Sequence, residues 1–256
     1  LESVLGGALI DRAGKTTRLT PLGEDIARRA EKVVSELCDL VESAGAQAAP
    51  LTGVLRLGVI PTISAFLLPR LLPALRQRYP QLKVYLIEDQ TQRLLEIMGR
   101  GELDVILLAL PCECEGESFI LARDAFIAAV RRDNPLAKKK SLSAKDLRGE
   151  KFLTLQDGHC LRDQALSACG LKTSSDERHA ATSLHTLVQM VDNGLGITLV
   201  PQMAVKAGLL EGTGLVTRPL ETTAAYRDIA LLWRKGAARS EELRLLGAEL
   251  KKLFNR

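Results

Sequence analysis

The sequence predicts an α/β fold, with two successive series of strands and helices behind one long N-terminal helix. Three observations lead there. From Val54 to Leu110 short apolar segments alternate with helix-length amphipathic ones, and the run from Val105 to Leu110 is wholly apolar, the pattern of a parallel sheet covered on both faces. A second series begins near Asp124. Between residues 20 and 44, Ile26, Ala30, Val33, Leu37, Leu40 and Ala44 recur at alternating spacings of four and three, a coiled-coil seam, and residues 45–50 then read as a linker.

Composition sets the class. With 256 residues, 46% apolar and 26% charged, the chain can bury substantial cores and is no disordered segment. It has no apolar run long enough to cross a membrane and no export signal, so a cytoplasmic setting without membrane contact is expected. Five cysteines, an odd number, argue against a secreted disulfide framework and for reduced thiols. The net charge of +4 permits nucleic-acid binding without establishing it.

Along the chain, an apolar element over 4–10 leads into a basic, Gly-containing turn between two short strands, where Arg12, Lys15 and Arg18 are weak candidates for phosphate contact. Thr20 as N-cap and Pro21 at the first helical position open the long helix. Strands are expected over 54–60, 83–88 and 105–110, with helices over 65–78 and 92–100 between them. The second series has strands over 126–131 and 151–155, a helix between Cys160 and Cys169, a short strand before Ser183, a helix over 184–193 and a strand over 197–200. Asn193-Gly194 is C-cap chemistry. A strand over 226–233 and an amphipathic helix over 240–254 close the chain.

Chemistry concentrates around Cys160. The segment between Cys160 and Cys169 is a good helix former, with Gly158 before it and Gly170 after it. In a helix, these cysteines stand roughly 13 Å apart along the axis, whereas a disulfide needs Cα atoms within about 7 Å, so helix and disulfide exclude each other. Cys160 at a helix N-terminus, beside His159 and with Arg162 next in line, suits a reactive thiolate; Asp163 opposes that or caps the helix reciprocally with Cys160. The plain alternative is a pair of small buried thiols.

The run Gly158-His159-Cys160-Leu161-Arg162-Asp163-Gln164-Ala165, the second cysteine at Cys169, Ala181-Thr182-Ser183-Leu184 and Gly194-Leu195-Gly196-Ile197-Thr198-Leu199-Val200-Pro201 resemble the peroxide-sensing members of the LysR-type transcription regulators. Leu19-Thr20-Pro21-Leu22-Gly23-Glu24 resembles the segment after the wing of that family's winged helix-turn-helix, which implies that the major-groove helices lie upstream of Leu1. The resemblance implies a two-lobed, periplasmic-binding-protein-like effector domain: residues 1–19 a remnant of the DNA-binding domain, 20–50 a dimerisation linker helix, and 51–256 the regulatory domain, with lobe I about 51–123 and 227–256 and lobe II about 124–226. It implies that Cys160 is peroxidatic and Cys169 resolving, and that Thr62, Thr91, His159, Asp163 and Arg227 surround the peroxide. A guanidinium at Arg227 would favour thiolate and stabilise charge on the leaving oxygen. Implied partners are promoter DNA, RNA polymerase, hydrogen peroxide, a thiol reductant such as glutaredoxin, and further copies in a homodimer or homotetramer. No cofactor and no metal are implied, and the sensing is stoichiometric rather than enzymatic. A LysR-type regulator that responds to a metabolite in the inter-lobe cleft is the main alternative; a thiol peroxidase and a solute-binding protein rank below it.

Cys112-Glu113-Cys114 is the competing constellation. It lacks a second ligand pair at zinc spacing and reads as an exposed loop with adventitious metal affinity. Zinc-protease, serine-hydrolase and P-loop motifs are absent, and Gly194-x-Gly196 lies between a helix and a strand, the reverse of a dinucleotide fingerprint.

Overall fold

A computed structural model describes residues 1–11, 17–45, 50–168, 170, 180–222 and 224–254. The segment expected as one apolar element over 4–10 divides into a helical turn, α1 (Glu2–Leu5), and strand β1 (Ile10–Asp11), because Gly6 in the left-handed region stops the helix. β1 pairs antiparallel with β2 (Arg18–Leu19). Thr20 caps α2 (Pro21–Gly45): its Oγ1 accepts the Gly23 N–H at 3.0 Å and donates to the Ala8 carbonyl at 2.7 Å. Val33 and Leu37, on the expected seam, are exposed.

β3 (Gly53–Val59), α3 (Pro61–Arg78), β4 (Leu82–Glu88), α4 (Thr91–Gly99) and β5 (Val105–Leu110) follow, with β3 parallel to both β4 and β5. The parallel pattern stops there. β6 spans Glu117–Arg131, starting nine residues before the strand expected from Phe126, because its first half is paired along β11 and its second half enters a different neighbourhood. Next come a 3₁₀ turn at Pro135–Lys138, α5 (Ala144–Arg148), β7 (Thr154–Leu155), α6 (Cys160–Ala168), β8 (Ala180–Ala181), α7 (Leu184–Asp192), β9 (Thr198–Pro201), α8 (Gln202–Lys206), β10 (Leu215–Pro219), β11 (Tyr226–Trp233) and α9 (Ser240–Phe254). The strand expected over 151–155 reduces to β7 and a bridge between Phe152 and Ile197.

The large sheet runs β10-β6-β11-β5-β3-β4, with β9 also on β6. It is mixed, since β11 is antiparallel to both β5 and β6, and β9 and β10 are antiparallel to β6. The reason is topological: the chain leaves through β6 and returns through β11 in the opposite sense, so these two strands lie side by side where the two lobes join.

Each lobe has its own core. The first gathers Leu57, Ile63, Leu94, Leu107, Leu231 and Leu246, and the second Phe126, Val130, Leu153, Leu187, Val191 and Leu199. At about 1.5–3 kcal/mol for each large apolar side chain taken out of water, either cluster is a substantial driving force. α3 ties them together: Ile63 and Leu67 belong to the first core, while Phe66 belongs to the second and stacks on His185 of α7, ring centroids 5.7 Å apart. This is the two-lobed, periplasmic-binding-protein-like α/β architecture.

Candidate redox site at the lobe junction

In an open α/β sheet, the crevice outside the carboxyl ends of the parallel strands is where ligands bind, because strand ends and helix starts leave backbone groups to satisfy there. Here β3 leads into Pro61-Thr62, β4 into Gln90-Thr91, and β5 into Pro111. α6 and the turn before it reach two of these ends, those of β5 and β4. Gln164 donates through Nε2 to the carbonyls of Ala109 at 3.2 Å and Pro111 at 3.0 Å. Gly158 stands against the Gln90 side chain with φ +90, so a Cβ there would be strained and would collide with the amide.

Cys160, the first residue of α6, is a free, half-buried thiol. It packs against the first core, whereas Leu161 and Ala165 belong to the second, so one helix leans on both lobes. The helix N-terminus favours negative charge at this position. The two neighbouring basic residues differ in state. Burial pushes His159 below its ordinary value of 6.5, leaving a neutral imidazole at neutral pH. Arg162, 8% exposed, is ion-paired with Asp157. Asp163 is exposed.

Arg227 and Thr62 meet directly. Arg227, with no exposed surface, donates from Nη1 to Thr62 Oγ1 at 2.9 Å, from Nη2 to the Thr62 carbonyl at 3.1 Å, and from Nε to Asp124 Oδ2 at 3.1 Å. Asp124 stands directly opposite Arg227 in the β6–β11 register, and its Oδ1 accepts the Met203 N–H at 2.8 Å. The guanidinium is thus paired with Asp124 and ties the β11 strand, β6 and the start of α3 together. The Thr62 hydroxyl accepts from Arg227 and keeps its own proton to donate. The Thr91 Oγ1, at the first residue of α4, is buried and makes no hydrogen bond.

Cys169, Arg12 and Lys15 lie outside the described residues. Arg18 is exposed on β2. The loop expected at Cys112 and Cys114 is exposed at Pro111, Glu113, Glu115 and Gly116, but its two cysteines are half-buried against the first core and joined by a disulfide, which corrects the expectation of reduced thiols there. Among the described residues no group of three His, Cys, Asp or Glu is placed to hold a metal ion, and no helix is long and apolar enough to cross a membrane. Sequence reasoning missed Asp124, Gln90 and Gln164. None of the three carried a local signal: Asp124 sits beside Arg123 in a stretch without clean alternation, and the two glutamines are ordinary polar residues.

A model of the LysR substrate binding domain matches residues 48–255. A probable hydrogen peroxide-inducible genes activator of Streptomyces viridosporus is 41% identical over 98% of this chain and 81% of its own length. The chain belongs to the LysR family, in its OxyR branch. Two further likenesses agree with that LysR-family assignment. The DNA-binding transcriptional dual regulator OxyR of Escherichia coli K12 is 39% identical over 93% of this chain and 78% of its own. The reduced regulatory domain of OxyR2 from Vibrio vulnificus superposes with a TM-score of 0.74 at 44% identity, covering 80% of this chain and 98% of that one.

Proposed function

We propose that this chain is the sensing part of a transcription regulator that detects hydrogen peroxide through Cys160. The observation that carries the reading is the position of that thiol: free, half-buried against the first core, at the N-terminus of a helix whose next residue is anchored in the second core.

The Cys160 thiolate attacks one oxygen of the peroxide, the O–O bond breaks, and the leaving hydroxide is protonated to water, leaving Cys160 as sulfenic acid. The Thr62 hydroxyl, with its proton free to donate, and Arg227 behind it are suited to stabilise that oxygen; Thr91, His159 and Asp163 complete the proposed surround. The Cys169 thiol then attacks the sulfenic sulfur, releasing a second water and forming the Cys160–Cys169 disulfide. α6 is helical to Ala168, about 12 Å from Cys160 along its axis, so the disulfide requires α6 to unwind. Unwinding removes the Gln164 bonds to β5 and the Leu161 anchor in the second core together, which converts a thiol reaction into a change at the lobe junction.

In this reading residues 1–19 end a DNA-binding domain, 20–50 form the dimer linker with Val33 and Leu37 on its seam, and 51–256 regulate, in a homodimer or homotetramer in the cytoplasm. Promoter DNA and RNA polymerase are the output partners, and a thiol reductant such as glutaredoxin resets the disulfide. The sensor turns over once per reset and is not an enzyme. A reporter driven by the target promoter tests it: Cys160→Ser abolishes induction by peroxide, and a normal response in that variant refutes the assignment.

A further inference from the structure

The Cys112–Cys114 bridge is not used by the Cys160 chemistry, and its surroundings are specific. β5 and β6 run in the same direction with β11 between them, Leu110 opposite Asp228 and Glu117 opposite Trp233. Residues 111–116 must therefore carry the chain back across β11 in a nearly extended path. The segment is pinned at both ends. Gln164 of α6 holds the carbonyls of Ala109 and Pro111, and Gly116 lies so close to the Trp233 carbonyl that a Cβ would not fit. Between the pins, Cys112 and Cys114 sit half-buried on the first core, Cα atoms 5.6 Å apart and bridged, with Glu113 and Glu115 exposed on either side of Cys114. Cys160 borders the same core, one helical turn from Gln164.

We propose that Cys112 and Cys114 are a second thiol–disulfide couple, separate from Cys160, which exchanges with small cellular thiols and disulfides and sets how firmly α6 is docked. For oxidation, one thiolate of the pair attacks a small disulfide RSSR, forming a mixed disulfide and releasing RS⁻. The other cysteine, as thiolate, attacks the protein sulfur of that mixed disulfide, closing the Cys112–Cys114 bond and releasing the second RS⁻. Two electrons pass from the cysteine pair to RSSR, which becomes two RSH; reduction is the reverse. Opening the bridge frees the segment whose carbonyls Gln164 holds, and α6 loosens at the turn that follows Cys160.

The test does not depend on the peroxide reading. The Cys160→Ser chain is equilibrated in buffers of graded reduced to oxidised glutathione ratio, quenched by alkylation, and the peptide containing Cys112 and Cys114 is weighed. The couple predicts one two-electron transition from doubly alkylated to bridged within the range of ratios. Two free thiols in every buffer, or accumulation of singly glutathionylated peptide in place of the bridge, overturns it. The coupling is read separately from the alkylation rate of Cys160: about fivefold faster in Cys112→Ser/Cys114→Ser than in the bridged chain, with Gln164→Ala raising the bridged chain's rate to match. Equal rates in all three chains overturn the coupling.

Discussion

Arg227 is the residue on which the junction turns. A fully buried guanidinium keeps its charge only if partners replace its water, and Asp124 and Thr62 do so from two different elements. Removing one partner leaves the other charge buried. Asp124→Ala should therefore lower stability by about 3–5 kcal/mol in urea unfolding, and Thr62→Val, which strands Nη1, by about 1–3 kcal/mol. His159 adds a pH signature. Its pKa is lowered in the folded state by burial, so the unfolded chain binds more protons at mildly acidic pH. Stability is then full above the ordinary value of 6.5 and falls as the pH drops from there through the lowered folded value; His159→Gln should flatten that part of the stability–pH curve. Cys160 was legible from its own neighbours, at a helix start beside His159, whereas Thr62 and Arg227 were legible only through a family resemblance, since a threonine after a strand and an arginine at a strand start are each ordinary. Asp124 was not, because its meaning depends on β11 lying opposite it, a pairing across 103 residues.

At the scale of elements, α6 was readable and β6 was not. Gly158 and Gly170 punctuate a run of good helix formers, so local chemistry decides α6. β6 carries Ser118, Arg123 and Asp124 within its first half, and only its pairing along β11 makes a strand of residues that lack clean alternation. α5, α8 and β10 are of five residues each and fall below what periodicity detects. α6 is docked through buried Leu161, Ala165 and Leu166 and through the Gln164 hydrogen bonds. Leu161, 2% exposed, is the main apolar anchor on the lobe II side. Leu161→Ala should cost about 2–5 kcal/mol and, by freeing the first turn, speed alkylation of Cys160 relative to the parent chain.

For the molecule as a whole, the parallel half of the sheet followed from the alternating pattern over residues 54–110, but the mixed half did not. No local feature says that β11 returns between β5 and β6, and that return creates both the Arg227–Asp124 contact and the crossing segment with Cys112 and Cys114. With two cores, joined by paired strands and by Phe66 of α3, the lobes share one sheet while α6 lies over the junction. The central claim is that oxidation at Cys160 and loss of α6 are one event. The most direct test is a brief equimolar pulse of hydrogen peroxide on the fully reduced chain, followed by alkylation and mass spectrometric mapping of all five cysteines. The account predicts a selective Cys160–Cys169 disulfide; an unmodified Cys160, or oxidation spread indiscriminately over the cysteines, would contradict it.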